Sequence, residues 1–427
     1  MPNLNKIATA PPVDRHDVLA ASSLSRVRIA LTVFFALDGF MFAGWVVRIP
    51  AVKQQTGSSA SALGLALLGV SAGAVVTMVF TGRLCRRFGS HPVTVVSATL
   101  LSLSIVLPPH AHTALTLGLV LMVFGAAYGA LNVAMNSAAV DLVAALRRPV
   151  ISSFHAAFSL GGMIGAGLGG LVASRLSPAV HLLLLSGTGL LVTAATGAAL
   201  LRLPPPVRVP PPAPARAPGT GPERKEPKRP ERTNPGPGRP GRRARRLVLL
   251  FGAIALCTAY GEGAMADWSA LHLTQDLGAS PGTAAAGYSL FALAMTVGRL
   301  SGTFLQERLG ETRSLVAGGG TAALGMLLGA LAPTAWLALL GFAVAGVGLA
   351  NIFPVAIGRA GALAGAGGVA AASTLGYGGM LLGPPAIGFL ADWFSLPLAL
   401  TTVALLASAA AVIAYSARYA SAQRADE

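Results

Sequence analysis

The chain has 427 residues, 54% hydrophobic and 11% charged, with 52 Gly, 29 Pro and 2 Cys. An ordinary soluble domain carries about a quarter charged residues, so this composition excludes a soluble enzyme. Two cysteines can close at most one bridge, which excludes a secreted disulfide scaffold. The net charge of +16 arises from 31 basic residues against 15 acidic ones, but 12 of the basic residues fall in 203–246 and most others flank apolar runs. That distribution fits the loops of a polytopic membrane protein, not a nucleic-acid binder.

Residues 54–82, 88–140, 149–174, 176–201, 277–298, 314–358, 360–391 and 393–417 contain no Asp, Glu, Lys or Arg. A helix crosses a bilayer with about 20 mainly apolar residues, so each stretch holds one or two crossings. In chain order the predicted spans are 27–49, 59–82, 92–108, 114–139, 150–174 and 179–202. A second set follows at 247–269, 283–303, 314–332, 335–357, 367–391 and 395–417. Pro108-Pro109-His110 and Ala332-Pro333-Thr334 divide the two longest stretches as surface turns. The first span carries Asp38 and runs into Arg48-Ile49-Pro50 without a small-residue cleavage site, so it does not read as a cleaved signal. A segment in lipid must satisfy its own backbone hydrogen bonds. The expected fold is therefore an all-α membrane protein, with twelve transmembrane helices in two pseudo-symmetric six-helix bundles, 27–202 and 247–417. Residues 1–26 and 418–427 are read as tails. Residues 203–246, with 14 Pro and 12 basic residues, are read as an extended, mobile tether.

With the N-terminus inside, the inner loops and tails hold Lys6, Arg15, Arg26, Arg28, Arg83, Arg86, Arg87, Arg147, Arg148, the 203–246 cluster, Arg308, Arg313, Arg359, Arg418 and Arg424. The outer side holds only Arg48, Lys53 and Arg175. This imbalance is expected to place both termini in the cytoplasm.

The halves repeat with an offset near 220 residues. Gly161-x3-Gly165-x4-Gly170 matches Gly379-x3-Gly383-x4-Gly388, and Gly129-x2-Asn132 matches Gly348-x2-Asn351. Phe42-Ala43-Gly44-Trp45 answers Met265-Ala266-Asp267-Trp268, while Leu84, Arg87 and Gly89 correspond to Leu305, Arg308 and Gly310. Six-plus-six parallel repeats build one large class of transporter.

The loop Gly82-Arg83-Leu84-Cys85-Arg86-Arg87-Phe88-Gly89 resembles the G-x-L-a-D-r-x-G signature of the major facilitator superfamily. A second copy, Thr303-Phe304-Leu305-Gln306-Glu307-Arg308-Leu309-Gly310, occupies the equivalent loop after span eight. Gly44–Pro50, Ser152–His155 and Glu262–Trp268 look like a bacterial branch near the sugar (fucose-type) permeases, a resemblance that implies a location in a bacterial-type inner (cell) membrane. In the family the loop's acidic residue belongs to a charge network at the inner gate. Here Arg86 replaces it in the first copy while Glu307 keeps it in the second, and Asp141 is the candidate substitute partner for Arg86 or Arg87. Span five also resembles the antiporter motif through Gly161, Gly165, Gly169 and Gly170, but Ala166 stands at the proline position and span four lacks the antiporters' arginine.

Ionisable groups at bilayer depth are functional candidates by default. Asp38 lies about ten residues into span one, roughly 15 Å deep at 1.5 Å per residue. Glu262 lies near the middle of span seven, the repeat equivalent of span one, and in the family both spans line the central cavity. A carboxylate taken out of water is disfavoured in its charged form and can trade a proton near neutral pH. Asp38 and Glu262 are thus the expected proton-coupling pair, and Asp267 is assigned to the outer mouth. Tyr128, Asn132 and Asn136 recur every four residues on one face of span four, where they can bind a polar solute or bond helices together. Asn351 shares that choice as the repeat partner of Asn132. His155 is read as a gate residue or a proton carrier on a face it shares with Ser159. Trp45, Trp268 and Tyr377 can stack on a ring, and the two tryptophans can equally anchor at the membrane interface. Arg299 is expected to snorkel or to pair with Glu307.

Two soluble-enzyme patterns are discounted. Gly69-Val70-Ser71-Ala72-Gly73 lacks the strand–turn–helix setting of a nucleophile elbow, and Gly165-Ala166-Gly167-Leu168-Gly169-Gly170 lacks the preceding strand of a dinucleotide site. The histidines form no metal-spaced cluster, Cys85 and Cys257 read as free thiols, and no P-loop is present. The expected function is alternating-access, proton-coupled transport of a small organic solute by a monomer in the lipid bilayer, without a cofactor. Proton-driven efflux of a drug or secondary metabolite is the alternative.

Overall fold

A computed structural model of the chain describes residues 15–146, 150–203 and 242–422. Most of the 203–246 tether lies outside the described residues, as do Lys6, Arg147, Arg148 and Arg424. The first half consists of α1 (Arg15–Val46), a short α2 (Ile49–Thr56), α3 (Ala60–Phe88), α4 (Ser90–Ser104), α5 (Ala114–Leu146), α6 (Ile151–Ala173) and α7 (Pro178–Leu201). The second half has α8 (Arg242–Gln275), α9 (Pro281–Leu300), a short α10 (Gly302–Leu309), α11 (Glu311–Ala330), α12 (Ala335–Leu349), α13 (Ile352–Trp393) and α14 (Leu396–Ala422). The first helix starts well before predicted span one, and the apolar stretch within it runs from Ser22 to Val46.

The helix boundaries follow from local chemistry. Ser59, Ser177 and Ser280 accept hydrogen bonds from the N–H groups of Ala62, Val180 and Thr283, which caps α3, α7 and α9. At the other end, α3 and α10 stop at Gly89 (φ 88°) and Gly310 (φ 75°), the matching last positions of the two loop motifs. Only glycine takes that backbone region at little cost, so the repeat preserves a turn as well as a sequence.

The long run of α13 is two crossings. In a straight helix, residues eight apart are about 12 Å apart. Yet a Cβ on Gly368 would sit 2.0 Å from the carbonyl oxygen of Ala360, so the chain reverses between them. The first arm continues α12 as one apolar stretch, Ala335–Ala364. The second arm is span eleven. Nine stretches among the described residues are long and apolar enough to cross a membrane. The less apolar α9, α11 and second arm of α13 complete the twelve, six in each half. Large apolar side chains such as Leu115, Leu171, Leu191, Leu300 and Leu324 are at least 70% exposed, as a lipid-facing surface requires.

The repeat also preserves packing. A Cβ on Gly161 of α6 would lie 1.9 Å from the Ala36 oxygen of α1, and one on the matching Gly379 of α13 would lie 2.2 Å from the Leu256 oxygen of α8. Small residues let the helix backbones touch in both halves.

The halves meet tightly at one end of the molecule. There Gly64 abuts the Pro384 carbonyl, Gly388 abuts the Ala60 carbonyl, and Gly170 packs on Ala285 and Gly282. Polar links reinforce this closed end. Asp392 accepts hydrogen bonds from the N–H groups of Ala60 and Ser61, each 2.9 Å, and Lys53 donates to Gln275 at 3.1 Å. The opposite end carries Arg83, Arg86, Arg87, Arg308 and Arg313.

Candidate functional site

The central chamber is built from one stripe of each cavity-facing helix. On α1, Phe35, Phe42 and Trp45 fall at the spacing that puts residues on one helical face. Val70, Ser71 and Met78 of α3, Tyr128, Asn132 and Met135 of α5, and His155 and Phe158 of α6 complete the first-half wall. Glu262, Ala266 and Asp267 of α8, Tyr288 of α9, and Tyr377 and Met380 of α13 form the opposite wall. The enclosed space is about 260 Å³. A second cavity of about 680 Å³ shares His155, Glu262 and Met380 with it, and extends past Ser159, Arg299 and Asn351 to Gln306 near the arginine-rich end.

Glu262 stands where the two cavities meet, and its carboxylate pairs with Arg299 of α9 at 3.3 Å. Arg299 also donates through Nε to the Ala350 carbonyl. The expected pairing of Arg299 with Glu307 is therefore corrected: the guanidinium turns into the chamber and meets the part-exposed Glu262 carboxylate, where the pair is screened less than it would be with the exposed Glu307. Glu311, just after the second loop motif, pairs with Arg359 near the end of span ten.

Asp38 departs from Glu262. It sits on the same α1 stripe as Phe35, Phe42 and Trp45, yet it is fully buried and lines neither cavity. Both its carboxyl oxygens lack a hydrogen-bond partner among the described residues. Tyr128, which does line the smaller cavity, is within electrostatic reach of it. The two acids are thus in different environments, one in the water-accessible junction and one sealed from both cavities.

Asp267 is also corrected. Instead of lying at an outer mouth, it lines the smaller cavity, near Tyr288. Neither was singled out as a chamber residue from the sequence, although the match of Gly44 to Asp267 placed an acid where the first half has none.

Trp45 lines the chamber at 1% exposure and Trp268 is fully buried with its indole N–H unpartnered, so neither anchors at a lipid interface. Tyr128 stacks on Phe42 with ring centres 5.3 Å apart, and His155 meets Phe35 edge-on at 5.5 Å. Asn132 lines the smaller cavity, whereas Asn136 lines neither and donates to the Asn132 carbonyl at 2.8 Å. Asn351 lines the larger one while donating to the Gly298 carbonyl at 2.7 Å, where it ties α12 to α9. Tyr377 projects into the smaller cavity from α13.

The loop-motif residues lie apart from the chamber. Gly82 precedes the exposed Arg86 and Arg87, and Arg87 rests on the Phe88 ring at 5.2 Å. Arg308 repeats this on Phe304 at 4.5 Å, beside an exposed Glu307. Asp141 is within electrostatic reach of Cys85 and His91 on the neighbouring helices.

Comparison with known proteins agrees with this architecture. The Major Facilitator Superfamily matches residues 29–265 and again 250–426, once for each half. The chain is 32% identical over 382 residues to an uncharacterized MFS-type transporter of Yersinia pestis, covering 89% of this chain and 92% of that protein. It is 33% identical over 383 residues to an uncharacterized transporter of Sinorhizobium fredii, covering 89% and 95% respectively. Among solved structures, a bacterial homolog of the human lysosomal transporter Spinster, in an inward-facing and unoccupied conformation, superposes with a TM-score of 0.73 at 15% identity, covering 96% of this chain and 98% of that one. The nucleoside transporter NupG, as its D323A mutant, superposes with a TM-score of 0.69 at 13% identity, covering 92% and 99%. The chain belongs to the Major Facilitator Superfamily. It is a multi-pass membrane transporter rather than an enzyme, with an architecture consistent with secondary transport by alternating access.

Proposed function

We propose that the protein is a proton-coupled transporter of a small organic solute, with Glu262 as the proton-exchanging group in contact with the chamber. The observation that carries this reading is the Glu262–Arg299 ion pair at the junction of the two cavities. Protonating Glu262 would cancel its charge and release Arg299, so occupancy by a proton and the packing of α8 against α9 are linked. Asp38 is the second coupling group in this scheme, reached by a proton only when the packing that buries it parts. The lysine and arginine distribution makes the open end cytoplasmic, so the conformation is inward-open and both termini are inside. Rocking the halves would separate the Asp392 and glycine contacts of the closed end and bring the open end together.

The likeness to sugar (fucose-type) permeases rests on Gly44–Pro50, Ser152–His155 and Glu262–Trp268, and it points to a polar solute met by Asn132, Tyr128 and Tyr377. A single chain contains the whole chamber, so the monomer is the functional unit in this reading. The test is a thermal-shift screen of a metabolite library on purified protein, followed by flux in proteoliposomes with an imposed proton gradient. Binders should accumulate with the gradient in wild type and fail to do so in Glu262→Gln. Intact gradient-driven accumulation in both Glu262→Gln and Asp38→Asn would overturn the coupling assignment.

A further inference from the structure

The chamber contains one carboxylate more than its own cations balance. Among the described residues, the ionisable groups with side chains on the two cavities, tyrosines aside, are His155, Glu262, Asp267 and Arg299. Glu262 and Arg299 neutralise each other. Asp267 makes no hydrogen bond or ion pair with any described residue, and it sits about 7.5 Å further along α8 toward the closed end, five residues at 1.5 Å each.

The cavity that Asp267 lines carries several aromatic rings, Tyr288 being within electrostatic reach of it. Phe42 and Tyr128 stack at 5.3 Å, and Tyr288 meets Phe42 edge-on at 6.4 Å. Trp45 and Tyr377 line the same cavity. The faces of such rings attract cations, more strongly where water is excluded. An anionic solute would meet an uncompensated negative charge there. A neutral one would leave Asp267 unpaired when the chamber closes, at the cost that any buried polar group without a partner carries.

We propose that the smaller cavity selects a small organic cation, an amine or quaternary ammonium group held between Asp267 and the aromatic faces, with Asn132 available to a hydroxyl or carbonyl on the same molecule. At about 260 Å³ the cavity lies just below the usual range of about 300–1,000 Å³ for ligand pockets, so the solute is compact. This assignment rests on reading the chamber as the transport site, and it concerns which charge the site accepts, independently of proton coupling.

The test uses three probes of similar size at one fixed pH and no gradient: benzylammonium, benzyl alcohol and phenylacetate, titrated against the purified full-length protein by tryptophan fluorescence or calorimetry. The expected result is that the cation binds at least about tenfold tighter than either other probe, the ratio that a single extra charge-assisted contact supplies. Asp267→Asn should erase that preference and Asp267→Glu should retain it. A parallel measurement needs no variant: the cation should protect Asp267 of the wild-type protein from carbodiimide modification, mapped by mass spectrometry. Equal or tighter binding of benzyl alcohol or phenylacetate, an unchanged preference in folded Asp267→Asn, or no protection of Asp267 would overturn the proposal. Because binding is read without a gradient, loss of proton-driven flux in other variants leaves this result unaffected.

Discussion

Arg299 of α9 holds the Glu262 carboxylate of α8 at 3.3 Å and, through Nε, the carbonyl of Ala350 where α12 ends. One guanidinium thus ties three helices of the second half at the point where the two cavities join. Both side chains are part-exposed to the cavities, so the pair can open and re-form as the chamber changes shape.

Glu262→Gln removes that partner's charge and leaves Arg299 uncompensated. Gradient-driven flux should fall by about a hundredfold or more, in line with losing a proton-transfer group. Arg299→Ala should produce a loss of the same order, because the remaining carboxylate no longer alternates between a paired and an unpaired state. Flux measured with a pH-sensitive dye inside proteoliposomes checks both, and wild-type rates in either variant would separate the ion pair from transport.

Asp38 gives an opposing expectation for stability. It makes no hydrogen bond among the described residues, so Asp38→Asn breaks none, and the unfolding temperature in detergent should stay at the wild-type value or above it. Proton-driven flux should nevertheless drop. A fall in unfolding temperature of several degrees would instead mark the carboxyl as a structural group.

Asp392, at the end of α13 beyond span eleven, is a link between the halves that responds to pH. Slight burial pushes its carboxyl up, but hydrogen bonds from the Ser61 side chain and N–H, from Ser59 and from the Ala60 N–H outweigh this and hold it below the usual carboxylate range. A depressed value means the link is at full strength above the ordinary aspartate value of about 3.9 and is lost as the pH falls through the lower value in the folded protein. Asp392→Ala removes both acceptor oxygens and should weaken closure by about 1 kcal/mol, as losing a helix-capping acceptor does, or about fivefold in the closed-to-open ratio. Spin-label distances across the closed end, measured at neutral pH, read this shift; an unchanged distance distribution would show that the glycine contacts alone keep the end shut.

Gly161 and Gly379 should be equally intolerant of a side chain. Alanine at either puts a methyl group about 2 Å from a backbone oxygen of the neighbouring helix, so α6 must part from α1 or α13 from α8. A cost of about 1–3 kcal/mol is expected for such overpacking. Gly167→Ala is the control: nothing lies within 4 Å of its added carbon, and a helix interior gains about 1 kcal/mol from the exchange. Thermal unfolding of the three variants decides it. Equal stability of all three would remove close backbone contact as the reason for the repeated glycines.

Much of the architecture was legible in the chain because lipid imposes a one-dimensional rule. Gaps between charges count crossings, prolines mark turns, and lysine and arginine order the loops. The wall residues Trp45, Tyr128, Asn132, His155, Glu262 and Tyr377 could be picked out as polar or aromatic groups inside spans. Depth along a helix, however, does not say what stands in front of a side chain. Asp38 and Glu262 look equivalent by depth, and only packing buries one completely and leaves the other on both cavities. Arg299 looked like a membrane-edge residue, since its partner lies 37 positions away on another helix.

By itself, the order of residues determined that this protein crosses a bilayer in two repeated sets of helices, because apolar length and glycine spacing act within each segment. The tertiary structure alone decided which charges are paired, which are sealed and which face the chamber. Those outcomes depend on distances of a few ångströms between helices far apart in the chain, and no pattern along a single helix encodes them.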